Sequence, residues 1–247
     1  EVRELRLRRQ DNYAPDLDAF RDLVGDEAKL IVFSNPNNPT GALMDRETLE
    51  EIVRIAERAG AWILADEVYR GTDQEGEGST VSVADLYDRA ICVGSMSKAY
   101  SLAGLRLGWI TARRDFLAKV SIHRDYNTIS VGMIDDFLAS LALESRQAIL
   151  DRSRRITREN LAILSDWMEQ EPSMSWVRPR SGTIALLDYN RSIASQEFCA
   201  RILEEIGVLF TPGSAFSEEG SLRIGFANNT QDLREGLAEF SQFLTRA

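Results

Sequence analysis

Three apolar runs, "AKLIVFSNP", "AWILADEVY" and "RAICVGSMS", punctuate the first hundred residues. Each is continuous rather than alternating, the pattern of strands buried on both faces in a parallel sheet. Between the first two stands "DRETLEEIVRIAERAG", where Leu49, Ile52, Val53, Ala56 and Ala59 keep helical spacing. Asp45 is placed to cap its start and Gly60 its end. "EVRELRLR" alternates and reads as a strand, "DLDAFRDLV" as a short helix, and "LRLGWIT" as a further strand. Strands separated by helices or long crossovers predict an α/β fold, a mostly parallel sheet with helices on both faces. In such sheets the loops at the carboxyl ends of the strands build the ligand site. "SNPNNPTG", "DEVYRG" and "SMSK" fall at those ends and bring Asn38, Asp66, Tyr69, Ser95 and Lys98 to one rim.

The second part of the chain has a different rhythm. "MIDDFLASLALES" and the long, charged "RQAILDRSRRITRENLAILSDWMEQ" read as helices, the latter bridging two lobes. Short strands ("MSWVRP", "GTIALLDYN", "VLFTPG", "SLRIGFAN") then alternate with helices ("SQEFCARILEEIG", "TQDLREGLAEFSQFL"). This predicts a smaller α+β carboxyl-terminal lobe, with domains at residues 1–145 and 146–247 and the bridging helix in the second.

Composition narrows the chemistry. A net charge of −10 argues against a nucleic-acid partner, which needs a basic face. There is no run of 18 apolar residues, so no membrane span is expected. The charged start "EVRELRLRRQDN" is not a signal peptide. Cys92 and Cys199 lie far apart in apolar patterns and are expected to be buried free thiols, which suits a reducing compartment such as the cytoplasm. The single histidine, His123, sits in a helical pattern, which excludes histidine-rich metal sites and disfavours a Ser-His-Asp triad. No metal is expected.

Only three lysines, Lys29, Lys98 and Lys119, stand among 26 arginines. Lys98 lies between small hydroxyl residues with no acid nearby in sequence. It reads either as a solvated loop lysine or as an amine that condenses with a carbonyl cofactor. A partly desolvated lysine is more often neutral and hence nucleophilic. Arg106 adds a second positive charge suited to a phosphate. Asp66 ends an apolar strand, where a carboxylate needs a partner. That partner is either a structural cation or helix cap, or a protonated pyridine nitrogen whose charge makes a ring an electron sink. Tyr69 can donate to a ring oxygen or merely pack. The Asn/Pro/Gly loop is either a plain turn or a rigid support aiming Asn38 into the site. "YRGTDQEGEGSTVSVADLYDRA" is expected to be a solvated loop, with a place near the site as the alternative.

In this order and spacing, "SNPNNPTG", "ADEVY" and "SMSKAYSLAGLRLGW" resemble the class I/II aminotransferases of the aspartate-aminotransferase fold, which use pyridoxal 5′-phosphate. The resemblance is strongest over residues 30–112. It implies that Lys98 is the Schiff-base lysine and proton shuttle, and that Asp66 partners the pyridinium nitrogen. It further implies that Asn38 and Tyr69 bond the ring oxygen, that Ser95 and Arg106 hold phosphate, and that Arg223 of "SLRIGFA" grips the substrate α-carboxylate together with Asn38. A cis Asn38–Pro39 bond, amino acid and 2-oxo acid substrates, and a homodimer are implied as well. The family's glycine-containing phosphate loop would precede Glu1, so the resemblance implies a large domain incomplete at its N-terminus, in the carboxyl-terminal two-thirds of a longer protein. Other pyridoxal-phosphate chemistry (a C–S lyase, cyclase or racemase) and an aminotransferase-like regulatory domain remain as alternatives.

Overall fold

The computed structural model describes residues 1–246. Its first sheet holds β1 (Leu30–Ser34), β2 (Trp62–Asp66), β3 (Ala90–Ser95) and β4 (Gly108–Ala112), in that spatial order. The first three are parallel, with Ser34 paired to Asp66 and Asp66 to Val93. β4 runs antiparallel to β3. Residues 96–107 contain only a 3-10 turn, too short for a crossover, so the chain must return antiparallel. β4 also begins later than its apolar pattern, because Arg106 adopts a left-handed conformation (φ 47°) that breaks the extended run.

Strand parity sorts the side chains into two faces. Ile31, Ile63, Ala65, Ala90 and Cys92 form one core with α2 (Arg46–Ala59), and Val24 at the end of α1 (Leu17–Val24) joins it. α2 forms there because Leu49, Ile52, Val53, Ile55 and Ala56 make one buried stripe. Asp45 accepts the Thr48 N–H at 2.9 Å, and Gly60 ends the helix at φ 65°. The opposite face carries Leu30, Val32, Trp62 and Leu64. α3 (Arg114–Arg124) reaches it through Phe116, whose ring lies 5.2 Å from that of Trp62. Helices thus lie on both faces, but Leu30 and Val32 remain largely exposed.

The second sheet is antiparallel, in the order β5 (Met174–Ser175), β6 (Ile184–Tyr189), β8 (Ser221–Gly225), β7 (Thr211–Pro212). β5 and β7 keep only two residues of their apolar runs in the ladder. α5 (Arg146–Gln170), α6 (Ser195–Ile206) and α7 (Thr230–Arg246) cover one face of this sheet, with Leu161, Leu164, Phe198, Ile202, Phe240 and Phe243 in its core. α4 (Met133–Glu144) precedes the bridging helix α5. Early in α5, Ser153 meets Ser101 at 3.2 Å, and Arg158 holds the carbonyls of Asp73, Glu75 and Gly76. Two residues later Asn160, fully buried, donates to the Phe226 and Asn228 carbonyls of the other lobe.

The alternating segment 1–8 does not form the expected strand. Its arginines are drawn to the other lobe instead. Arg6 meets Glu218 at 3.7 Å, and the 3-10 turn that follows pairs Arg9 with Asp188 at 3.1 Å. With no ladder partner, alternation alone does not make a strand.

Candidate active site

β2 ends at Asp66, and parity puts its side chain on the face opposite α2. Ser95, at the end of β3, shares that face. Asp66 is half-buried, and its Oδ1 accepts the Val68 N–H at 3.0 Å. Its other oxygen has no partner among the described residues. That N–H turns the chain so that Tyr69, buried, follows three residues later. Lys98 Nζ stands 5.7 Å from the centre of the Tyr69 ring. The preceding Ser95 Oγ accepts the Ser97 N–H at 3.0 Å, closing a turn that presents the lysine.

Lys98 itself is exposed, between the buried Met96 and Ala99. Desolvation of the lysine, expected from its neighbours in sequence, is not achieved by the described residues. It borders an open cavity of about 560 Å³ between the lobes, lined also by Thr72, Ser153, Thr157, Thr183 and Asn228. Asp66, Asn38 and Arg223 do not line that cavity.

Arg106 is exposed. Its Nη1 donates to the Ala103 carbonyl at 2.9 Å and lies 3.5 Å from Ser97 Oγ. The guanidinium thus sits beside the turn that carries Ser95 and Lys98.

The asparagine loop is built from inside. Buried Asn35 donates to the Met44 carbonyl and accepts the Met44 N–H at 2.9 Å. Asn37 Oδ1 takes the Thr40 hydroxyl at 2.6 Å. Both Asn35–Pro36 and Asn38–Pro39 are cis. Gly41 adopts φ +69°, and a Cβ there would meet Pro179 at 2.3 Å, so no side chain fits where the second lobe approaches. Asn38 projects from this loop, and its Oδ1 accepts Arg223 Nη1 at 3.1 Å.

Arg223 reaches Asn38 from β8 of the other lobe. Its Nη2 donates to Thr211 Oγ1 at 3.2 Å, and its guanidinium lies 4.8 Å from the Phe216 ring. Thr211 pairs with Arg223 across the ladder, which aligns the two side chains. The structure therefore gathers two groups: Asp66, Tyr69, Ser95, Lys98 and Arg106 around the ends of β2 and β3, and Asn38 with Arg223 across the lobe seam.

Sequence reasoning missed Thr211 and Phe216, whose only signal is the β7–β8 register. It also missed the seam under Tyr69. The loop after Tyr69, expected to be solvated, is buried at Gly71, Thr72, Asp73 and Gln74, and residues 75–77 are exposed. Its polar residues find partners 108–110 positions away in sequence, at Ser181 and Gly182, which local composition cannot reveal. Cys92 and Cys199 are free and buried, and burial pushes their thiols up to about 12 and about 11.

Residues 1–240 match the model of the family described as aminotransferase class I and II. Capreomycidine synthase of Streptomyces vinaceus is 30% identical over 239 residues, 96% of this chain and 61% of that protein. Aspartate aminotransferase of Thermotoga maritima is 28% identical over 234 residues, 94% of this chain and 60% of the relative. The chain thus spans about three fifths of these relatives. The crystal structure of a PLP-dependent aminotransferase from Streptococcus suis superposes with a TM-score of 0.95 at 42% identity, covering 100% of this chain and 65% of that one. The solved Thermotoga maritima enzyme gives a TM-score of 0.87 at 26% identity, covering 99% and 64%. The chain belongs to the class I and II aminotransferases.

Proposed function

We propose that the protein to which this chain belongs is a pyridoxal-phosphate-dependent aminotransferase, moving an amino group from an amino acid to a 2-oxo acid. The observation that carries the reading is the convergence of Lys98 on Tyr69 at 5.7 Å and of Arg223 on Asn38 at 3.1 Å, beside a strand-end carboxylate. The donor set fits the cofactor. Asp66 has one oxygen without a partner among the described residues, suited to a protonated ring nitrogen. Ser95 and Arg106 offer a hydroxyl and a guanidinium suited to phosphate. The Tyr69 hydroxyl and the Asn38 amide offer an O–H and an N–H donor to the ring oxygen. When bound, pyridoxal 5′-phosphate supplies an electron sink for the carbanion formed at the substrate Cα.

The chain's own residues do the rest. Arg223 holds the substrate α-carboxylate by a forked, charge-assisted pair, and Asn38 and Thr211 fix the plane of its guanidinium. Lys98 removes the Cα proton as general base. Asp66 holds the ring-nitrogen proton by its negative charge. Donation from Tyr69 to the ring oxygen favours that oxygen's ionised form. Lys98→Ala in the intact protein should abolish both the pH-dependent imine absorbance of the bound cofactor and activity, while far-UV circular dichroism stays unchanged. Retained absorbance and turnover would refute the assignment.

A second reading, other pyridoxal-phosphate chemistry on an amino acid, draws support from the 30% identity to a relative named a synthase. Formation of a 2-oxo acid from candidate amino acids separates the two. The apolar, exposed side chains of residues 122–141 support assembly as a homodimer. Two buried free thiols support a reducing compartment, the cytoplasm. No described helix is long and apolar enough to cross a membrane.

A further inference from the structure

Beneath the rim, three segments meet in a polar seam. The Thr72 hydroxyl is fully buried. It donates to the Tyr69 carbonyl at 2.6 Å and accepts the Gly182 N–H at 3.0 Å. Ser181 Oγ lies 3.4 Å from the same hydroxyl and donates to Asp73 Oδ1 at 2.7 Å. Gln74 Nε2 donates to the carbonyls of Thr72 and Gly182, at 3.1 and 2.9 Å. From the other side, the N–H groups of Arg180 and Ser181 both donate to the Gly41 carbonyl, at 2.9 and 3.0 Å.

Residues 180–182 are therefore clamped between the loop that carries Asn38 and the loop that carries Tyr69. They then lead directly into β6, whose Leu186 pairs with Arg223. A Cβ at Gly182 would lie 3.9 Å from the Tyr69 ring, so the clamped segment is also the floor under that ring.

We infer that Thr72 is a positioning residue for the proposed reaction: one hydroxyl, shared between the Tyr69 carbonyl and the Gly182 amide, sets the Tyr69 ring against Lys98 and ties that setting to the lobe that presents Arg223. The inference rests on the aminotransferase reading above. A hydroxyl is required because one atom must donate to one partner and accept from the other. Valine has nearly the same shape and can do neither, leaving the buried Gly182 amide unpaired and the Tyr69 carbonyl with only the longer bond from the residue-72 N–H, at 3.2 Å. The Tyr69 backbone then moves, and with it the donor that favours the ionised ring oxygen.

The test uses the holoenzyme and follows the pH midpoint of the cofactor's visible band. Tyr69→Phe, the control, should raise the midpoint. Thr72→Val should raise it in the same direction by about one pH unit, the tenfold change expected when a hydrogen bond to an ionised group is misdirected. Thr72→Ser, which keeps the hydroxyl, should hold the wild-type midpoint even if its thermal midpoint falls. A folded Thr72→Val with an unmoved midpoint, beside a Tyr69→Phe that moves, overturns the inference and leaves the function reading intact. If Thr72→Val does not fold, Thr72→Ser decides alone: a raised midpoint despite the retained hydroxyl overturns the inference, and an unmoved midpoint with a slowly exchanging Gly182 amide supports it. If Lys98→Ala keeps the band, the function reading itself has failed.

Discussion

The carboxyl-terminal sheet turns Ala185, Leu187, Leu222 and Ile224 onto three helices and closes a core in which Phe240 stacks on Trp167 and tilts against Phe198 and Phe210. The first sheet does the same on one face only. Its other face leaves Leu30, Val32 and Ile110 exposed, and residues 122–141 add Ile122, Tyr126, Met133, Ile134, Phe137 and Leu138. Among the described residues, every exposed large apolar side chain except Leu203 and Leu209 precedes residue 146. The closed lobe presents a single arginine from a strand in a finished sheet. The open lobe presents a lysine, an aspartate and a tyrosine at strand ends. Apolar surface of this extent is unusual on a free monomer, so the open lobe is the one that depends on further contacts.

The largest effect separates the cores. Phe240→Ala should destabilise the carboxyl-terminal lobe by about 3–5 kcal/mol, because a fully buried ring is replaced by a cavity. Urea unfolding followed by tryptophan fluorescence, with Trp62→Phe and Trp109→Phe in the background, reads this lobe, since the Trp167 indole lies 5.6 Å from the lost ring. Val32→Ala, at 63% exposure, should cost less than about 0.5 kcal/mol in the chain as described. A loss above about 2 kcal/mol at Val32 in the intact protein would sharpen the comparison, by showing that further contacts cover this face there, and a loss below about 0.5 kcal/mol there would break it.

A smaller effect concerns assembly. Ile134 and Phe137 lie on α4, 73% and 62% exposed. If two copies meet through this helix, Ile134→Asp with Phe137→Asp should weaken association at least about tenfold, since a buried carboxylate without a partner is costly. Sedimentation velocity across a concentration series checks it. Unchanged association would move the dimer contact elsewhere.

Much of this contrast was legible in the sequence where it depends on local rules. The continuous apolar runs located β1, β2 and β3, and the caps Asp45 and Gly60 bounded α2 as drawn, because capping acts within one turn. Asn38, Asp66, Tyr69 and Lys98 came from loop position and resemblance. What was lost depends on partners far along the chain. The alternation of residues 1–8 reads as a strand, yet Arg6 within it and Arg9 just after it serve ion pairs with Glu218 and Asp188. The direction of β4 was set by the absence of a crossover helix rather than by its own residues. Thr72 and Asp73 looked like loop polarity, and only Ser181 and Gly182 make them interior. Gly41 is similar: its turn was visible, but its closeness to Pro179 was not.

The smallest effect lies at the seam where the two lobes meet. Asp73 is 7% exposed, and burial pushes its carboxyl above the usual carboxylate range, against the Ser181 hydrogen bond and the charges of Arg70, Arg158 and Arg180. An acid whose folded value is raised contributes stability that is complete below its unfolded value, about 3.9, and is lost as pH rises through the folded value. Asp73→Asn keeps an oxygen for Ser181 and never ionises. The variant should therefore melt higher than the wild type at neutral pH, and the gap should close as pH falls below about 4. Thermal melts of both proteins across that range measure it. A gap that is constant with pH, or that favours the wild type at neutral pH, would mean that the three arginines hold Asp73 ionised, making the seam an ion cluster rather than a hydrogen-bonded joint between the open lobe and the closed one.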